Sequence, residues 1–180
     1  MRQILTVACV AGFGLMVSAC GSGDDNPAGL SCQSLSGLVE AAEPAIQCAI
    51  GCTVDNAGAA ADGNFGRAAV LNFEPLAAGT VGVKVVARGN GQFAAGTKVG
   101  AIFEASSATQ VGVNYQISTS LAGVPAETFS LGSDGVGSPA RGTSHGAATT
   151  NLPYDAVQFE FVRASGSTAA TATVYELCAD

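Results

Sequence analysis

Hydrophobic residues alternate with polar or small residues along much of this chain. The clearest stretch covers residues 111–121, where one face carries Val111, Val113, Tyr115, Ile117, Thr119 and Leu121. Gly, Asn, Gln and Ser occupy the positions between them. A period of two residues is typical of a β-strand with one buried face. The pattern therefore predicts a strand over residues 111–121.

The same period predicts further strands over residues 67–74, 80–87, 98–104, 127–132, 155–164 and 169–178. Clusters of Gly, Asn, Pro and Ser separate them and are typical of turns. Seven or eight short strands without intervening helices indicate an all-β fold, an antiparallel β-sandwich of jelly-roll/galactose-binding-like or Ig-like type. Residues 132–151 are polar and rich in Gly and Ser. We expect a long loop there, either functional or disordered.

Residues 31–50 do not follow this alternation. Their apolar side chains recur at roughly helical spacing: Leu35, Leu38, Val39, Ala42 and Ile46. Pro44 falls inside that pattern, and a proline in a helix interior removes a backbone hydrogen bond. The sequence therefore predicts only a short helix in this segment.

The N-terminus has the three parts of a secretory signal. Arg2 precedes an apolar run from Ile4 to Val17, and small residues follow. The run is too short for a transmembrane helix. We therefore expect residues 1–19 to be a signal peptide, 20–31 a flexible tether, and 32–180 a single domain.

The quartet Val17-Ser18-Ala19-Cys20 resembles the lipobox of bacterial lipoproteins. That resemblance implies that Cys20 is acylated, palmitate included, and becomes the first residue of the mature chain. The alternative is ordinary cleavage after Ala19. Gly21 stands where an Asp would favour the inner membrane, so the resemblance implies delivery to the outer membrane. Several acyl chains on one Cys are enough for stable anchoring.

Four further cysteines remain in this exported domain: Cys32, Cys48, Cys52 and Cys178. An even number in an oxidising compartment predicts disulfides. Three pairings are open. We favour Cys32–Cys48 with Cys52–Cys178, because the second bridge would join the start and end of a domain whose core has few bulky side chains.

Composition and charge exclude several classes of function. Lys and Arg number 7 against 14 Asp and Glu, for a net charge of −7, so the chain has no basic surface for nucleic acid. The single His argues against a zinc enzyme with His ligands, and no phosphate-binding glycine motif occurs. Ser144 and His145 lie near Asp134 and Asp155 in sequence, but no G-x-S-x-G turn supports a hydrolase. We expect a protein that is not an enzyme.

The stretch Ala60-Ala61-Asp62-Gly63-Asn64 resembles the calcium turn of discoidin-type, galactose-binding-like modules. Arg67 and Ala68 stand where that family has a Thr or Ser. A Glu on the last strand completes the family's metal site. The resemblance implies that Asp62 and Glu176 are carboxylate ligands of a structural Ca²⁺, with backbone carbonyls as the other ligands. The alternative is a solvated turn in which Asp62 bonds its own backbone.

The same family binds sugars, usually by stacking them on exposed aromatic rings. Tyr154 follows Pro153 at the edge of the long loop and is the candidate platform. The alternative is that Tyr154 is partly buried and closes the end of the loop. His145 in the same loop is the second candidate for ligand contact.

These observations together predict a non-catalytic module of the bacterial envelope, anchored in the outer membrane by its N-terminal lipid. Its function would be binding, with glycan as the candidate ligand. The alternative is a structural or assembly subunit that packs against a protein partner of the envelope or cell surface. A concave pocket near Tyr154 would favour a ligand, whereas an apolar patch or an exposed sheet edge would favour a protein partner.

Overall fold

The structure is a computed structural model that describes residues 33–105, 113–132, 144–164, 166 and 168–179. The predicted signal peptide, the lipidation at Cys20, the tether and Cys32 lie outside these residues. Within the described part, no helix is long and apolar enough to cross a membrane.

Strands dominate the described residues. They are β1 (Gln33–Ser34), β2 (Glu43–Cys48), β3 (Cys52–Asp55), β4 (Ala69–Phe73), β5 (Gly79–Val86), β6 (Lys98–Ala105), β7 (Val113–Leu121), β8 (Val124–Gly132), β9 (Ser144–Thr149), β10 (Ala156–Arg163) and β11 (Ala170–Ala179). Two short 3-10 helices cover Ala57–Ala61 and Arg88–Asn90. All seven strands predicted from the alternation are present, with bounds that differ by up to three residues.

The strands form two antiparallel sheets. One has the order β3-β4-β11-β6-β9, and β1 pairs with the end of β11. The other has the order β2-β5-β10-β7-β8. The inner faces of both sheets contribute to one buried hydrophobic cluster. The predicted all-β sandwich is confirmed.

Aromatic rings fill the centre of the space between the sheets. Phe73 and Phe103 project from one sheet, and Tyr115, Phe159 and Phe161 project from the other. Phe73 meets Phe161 edge-on with ring centroids 5.0 Å apart, and Tyr115 stacks on Phe161 at 5.2 Å. Such ring pairs add stabilisation beyond the apolar area they bury. Tyr115 therefore lies on the buried face that the alternation predicted.

The helix predicted within residues 31–50 is wrong. The segment contains β1 and β2, and β2 pairs along its length with β5. Pro44 is tolerated because β2 is an edge strand, where a missing N–H need not break the ladder. Leu35 and Val39 are buried, as their apolar character requires, although they lie outside any helix.

The loop predicted over residues 132–151 also contains a strand. Residues Ser144–Thr149 form β9, which pairs with β6 at the edge of its sheet. Residues 133–143 lie outside the described part of the chain.

The disulfide pairing that we favoured is wrong. Cys48 and Cys52 are bonded to each other, with Cα atoms 6.4 Å apart. The register explains this pairing, because Cys48 lies opposite Gly79 and Cys52 opposite Phe73, on either side of one short loop. Cys178 lies at the other end of its sheet, beside Ser34. It is also disulfide-bonded, and Cys32 lies outside the described residues.

Candidate functional site

A bulge in β11 decides where Glu176 points. Val174 lies opposite Phe103, but the next pairing joins Glu176 to Ile102, so two residues of β11 oppose one of β6. The bulge turns Leu177 into the core and Glu176 onto the outer face of the sheet. Without it, the carboxylate would enter the apolar space between the sheets.

A small second layer covers Glu176 on that outer face. Ile102 and Cys178 are buried there, and Phe65 and Tyr175 pack against them. The turn that begins at Asp62 lies over this layer, and Glu176 itself has 0% of its surface exposed. The last strand and the Asp62 turn therefore meet, as the resemblance to galactose-binding-like modules implies.

Hydrogen-bond donors from two other segments occupy the Glu176 carboxylate. Oε1 accepts from the Ser34 hydroxyl at 2.7 Å, and Oε2 accepts from the Gly63 backbone N–H at 3.2 Å. A Cβ at Gly63 would lie 3.1 Å from the Ser36 side chain, and its φ of +75° also favours glycine. Burial raises the pKa of Glu176 to about 7, and these two hydrogen bonds oppose the shift only in part.

Asp62 makes a separate set of contacts. Its Oδ1 accepts from the Asn64 backbone N–H at 2.8 Å, and its Oδ2 forms an ion pair with Arg67 at 3.0 Å. The first contact is the backbone bond expected of a solvated Asx turn. Among the described residues, no group of three or more His, Cys, Asp or Glu side chains could hold a metal ion. The contributions of Ser34 and Arg67 to this region were not predicted.

The second feature is a pair of exposed apolar side chains, Ile50 and Leu76, which lie on two neighbouring loops and are here called the apolar tip. Each side chain is 81% exposed. The Cys48–Cys52 disulfide closes the loop that carries Ile50. That loop touches the one that carries Leu76, because the Glu74 N–H donates to the Gly51 carbonyl at 2.7 Å.

The backbone at Leu76 is held in an unfavourable conformation. Its φ is +68°, in the left-handed region that a residue with a Cβ seldom adopts. The Leu76 N–H donates to the Gly166 carbonyl at 2.8 Å, which ties its loop to the loop after β10. A strained residue that exposes a large apolar side chain is a pointer to function, because neither property favours folding.

Arg163 is a buried residue that holds the loop carrying Leu76 in place. Its side chain is 4% exposed, and its guanidinium donates to the carbonyls of Glu74 and Thr168. It also lies over the Phe73 ring, 5.9 Å from the centroid. Arg163 forms no ion pair with any described residue. It therefore joins the loop that carries Leu76 to the loop after β10 through these two backbone carbonyls.

A chain of polar side chains crosses the outer face of the five-stranded sheet. Ser130 donates to Asn114 at 3.1 Å, Asn114 donates to Gln116 at 3.4 Å, and both Gln116 and Ser118 donate to the Glu160 carboxylate. These residues lie on β8, β7 and β10, so regular backbone holds their spacing. The register places Gly82 beside Glu160 at the end of the row.

The structure does not present Tyr154 as a platform. Its side chain is fully buried and stacks on Phe93 with ring centroids 4.9 Å apart. Its hydroxyl has no hydrogen-bond partner among the described residues, and burial raises its pKa to about 12. The prediction of an exposed sugar-stacking ring at Tyr154 is wrong, because this ring closes the core beside the segment that precedes β10.

The other candidates lie on separate elements. His145 belongs to β9, opposite Ile102 in the pairing with β6. Asp155, considered above for a Ser–His–Asp arrangement, accepts from the Ala122 backbone N–H at 2.8 Å. Asp134 lies outside the described residues.

Comparisons with known proteins give structural likenesses only. No family model and no curated protein matches the chain. Among solved structures, the sandwich is similar to a CBM32-3 module from a family 31 glycoside hydrolase of Clostridium perfringens. The TM-score is 0.48 and the identity 18%, over 78% of this chain and 89% of that one.

Proposed function

We propose that this protein is a non-catalytic binding module of the bacterial envelope that holds a protein partner at the apolar tip. One observation carries the proposal. Two large aliphatic side chains, Ile50 and Leu76, are each 81% exposed on loops that a disulfide and backbone hydrogen bonds constrain. Constrained exposure of apolar surface is typical of sites that bind other proteins.

The position of β1 agrees with this assignment. β1 pairs with Cys178 and Ala179 at the end of β11, whereas the apolar tip lies beside Ala170 at its beginning. The ten residues of β11 separate the two ends by roughly 30 Å. If Cys20 is acylated, the tether would join the domain at the end of β11 that is opposite the apolar tip. The apolar tip would then be free to meet a partner away from the anchoring membrane.

Site-specific photo-crosslinking in cells tests the proposal. A photoreactive residue at position 50 or 76 of the full chain should give an adduct of the same partner. The matched control is position 124, because Val124 is 66% exposed but lies in the β7–β8 hairpin at the opposite end. Ile50→Asp or Leu76→Asp should abolish the adduct formed from the other position. Equal crosslinking at position 124, or no adduct at 50 and 76, would contradict the proposal.

Glycan binding is the second candidate, and the polar row across β8, β7 and β10 favours it. Amide, hydroxyl and carboxylate groups held on regular strands are suited to hydrogen-bond sugar hydroxyls. A glycan and cell-wall screen on residues 21–180, which include every described element, tests this function with and without EDTA. Binding that Gln116→Ala removes and Thr128→Ala retains would support it, since Thr128 is exposed on the same sheet.

A further inference from the structure

The Asp62 turn does not fit the Ca²⁺ that its resemblance to galactose-binding-like modules implies. Ca²⁺ needs six to eight oxygen ligands with free lone pairs directed at one point. Here all four oxygens of Asp62 and Glu176 accept a hydrogen bond or an ion pair from the protein itself. Each of these oxygens therefore has one lone pair fewer for a cation, and the Arg67 guanidinium already brings a positive charge to Asp62.

Arg67 supplies the positive charge at this turn. Its guanidinium lies 3.0 Å from Asp62 Oδ2, and its own backbone N–H donates to the Asn64 carbonyl at 3.0 Å. The second bond fixes Arg67 in the same turn as Asp62. Arg67, together with Ala68, also stands where the resembled modules have a Thr or Ser. The residue that departs from the motif is therefore the residue that forms the ion pair with Asp62.

The Glu176 side of the turn is closed in a different way. The Ser34 hydroxyl and the Gly63 N–H bring neutral donors to a carboxylate that no solvent reaches. Ser34 Oγ in turn accepts from the Ser36 N–H at 3.0 Å, which holds the hydroxyl in place. β1, the Asp62 turn and β11 are thus joined through one carboxylate without a cation.

We infer that the Arg67 guanidinium takes the place of Ca²⁺ in this chain, so that the turn closes by an internal ion pair and not by a bound metal. The fold should therefore be indifferent to free Ca²⁺.

Thermal unfolding of the full chain in detergent tests this inference, with EDTA against about 10 mM Ca²⁺, roughly a hundredfold excess over the Kd of a weak extracellular site. The wild-type Tm should not change. Arg67→Thr removes the ion pair and restores the residue type of the resembled modules. Its Tm should rise by about 5 °C or more on adding Ca²⁺.

Two further variants sharpen the test. Arg88→Thr is the matched control, because Arg88 is exposed and lies outside the turn, and it should stay unresponsive. Arg67→Ser repeats the change with the second residue type, and isothermal titration with Ca²⁺ measures binding directly in each variant. A Ca²⁺ response of the wild type overturns the inference. Failure of both Arg67 variants to bind Ca²⁺ overturns it equally.

Discussion

Two regions of the molecule each bury a charged group without an opposite charge beside it. At the closing strand, Glu176 is 0% exposed and accepts from a hydroxyl and a backbone N–H. Next to the loop that carries Leu76 of the apolar tip, Arg163 is 4% exposed and donates to two backbone carbonyls. The ion pair between Arg67 and Asp62 includes neither of these two groups. In both regions, polar groups of the chain therefore take the place of the water that would otherwise hydrate the charged group.

The two groups differ in what they do when hydration is lost. A carboxyl group can take up a proton, and burial raises the pKa of Glu176 to about 7. Arg163 instead keeps two backbone acceptors, the carbonyls of Glu74 and Thr168. The closing strand can therefore discard its buried charge, whereas the loops beneath the apolar tip depend on these two hydrogen bonds. Four experiments test this contrast.

Loss of Arg163 should have the largest effect. Arg163→Ala removes the two bonds to Glu74 and Thr168 and leaves a cavity over Phe73, so we expect a loss of about 4 kcal/mol in the free energy of unfolding. Urea denaturation measures it. Arg88→Ala is the control and should change stability by less than about 0.5 kcal/mol. Equal effects of the two changes would show that Arg163 does not support the apolar tip.

Protonation of Glu176 should have the next largest effect. The folded pKa of about 7 exceeds the ordinary value of 4.5, so the folded state binds the proton more tightly. The contribution of Glu176 to stability is then complete below pH 4.5 and is lost as the pH rises through about 7.

The matched comparison is with Glu176→Gln, which cannot titrate. From pH 4.5 to well above 7, the wild type should lose stability relative to this variant by on the order of 3 kcal/mol. Denaturation curves of both proteins across this range measure the difference. Parallel curves for the wild type and Glu176→Gln would contradict the prediction.

Glu127 should show a stability difference of opposite sign when the wild type is compared with Glu127→Gln. Hydrogen bonds from Asn151 and Leu152 lower the pKa of Glu127. The contribution of Glu127 to stability is therefore lost as the pH falls.

Gly166 provides a smaller test of the Arg163 region. A Cβ there would overlap the guanidinium of Arg163, which must then shift from its carbonyl acceptors. We expect Gly166→Ala to lower the free energy of unfolding by about 2 kcal/mol. Gly58→Ala is the control, because a Cβ at Gly58 meets nothing within 4 Å. If Gly58→Ala costs as much, the effect does not arise from contact with Arg163.

Leu76 should give the smallest effect, and of opposite sign. Its φ of +68° suits glycine, so Leu76→Gly should stabilise the fold by about 1 kcal/mol. Leu38 is also exposed but has no positive φ, and Leu38→Gly should destabilise. Differential scanning calorimetry distinguishes the two directions. A lower Tm for Leu76→Gly would show that its backbone is not strained, which would weaken the functional argument for the apolar tip.

The sequence predicted those strands in which apolar side chains recur every second residue and the same side chains are buried in the structure. Tyr115 and Ile117 face the core as the alternation requires. β9 was missed because its inward position is Gly146, at which a Cβ would lie 2.8 Å from the Leu131 side chain. A strand whose inner positions must be small carries little hydrophobic signal.

The candidate site was predicted only in outline. The Asp62 turn reaches Glu176 through the Gly63 N–H, but the bulge before Glu176 depends on packing of β11 against β6 and has no local signature. The contribution of Ser34 depends on the two-residue pairing of β1 with β11. The apolar tip was missed because exposure of a single Ile or Leu cannot be derived from a pattern that places such residues inside.

The junction of β1 with β11 also determines how the domain responds to mechanical force. The ladder is short, with only the register pairs Gln33–Ala179 and Ser34–Cys178, and the hydroxyl that serves Glu176 lies within it. Cys178 is also disulfide-bonded, and with Cys48 joined to Cys52 every other cysteine of the chain precedes Gln33. A pull from the N-terminal side of Gln33 would therefore pass into β11 through that covalent bond, and β1 with its contact to Glu176 would stay in place. The loops that carry Ile50 and Leu76, at the far end of β11, would keep their shape under such a load.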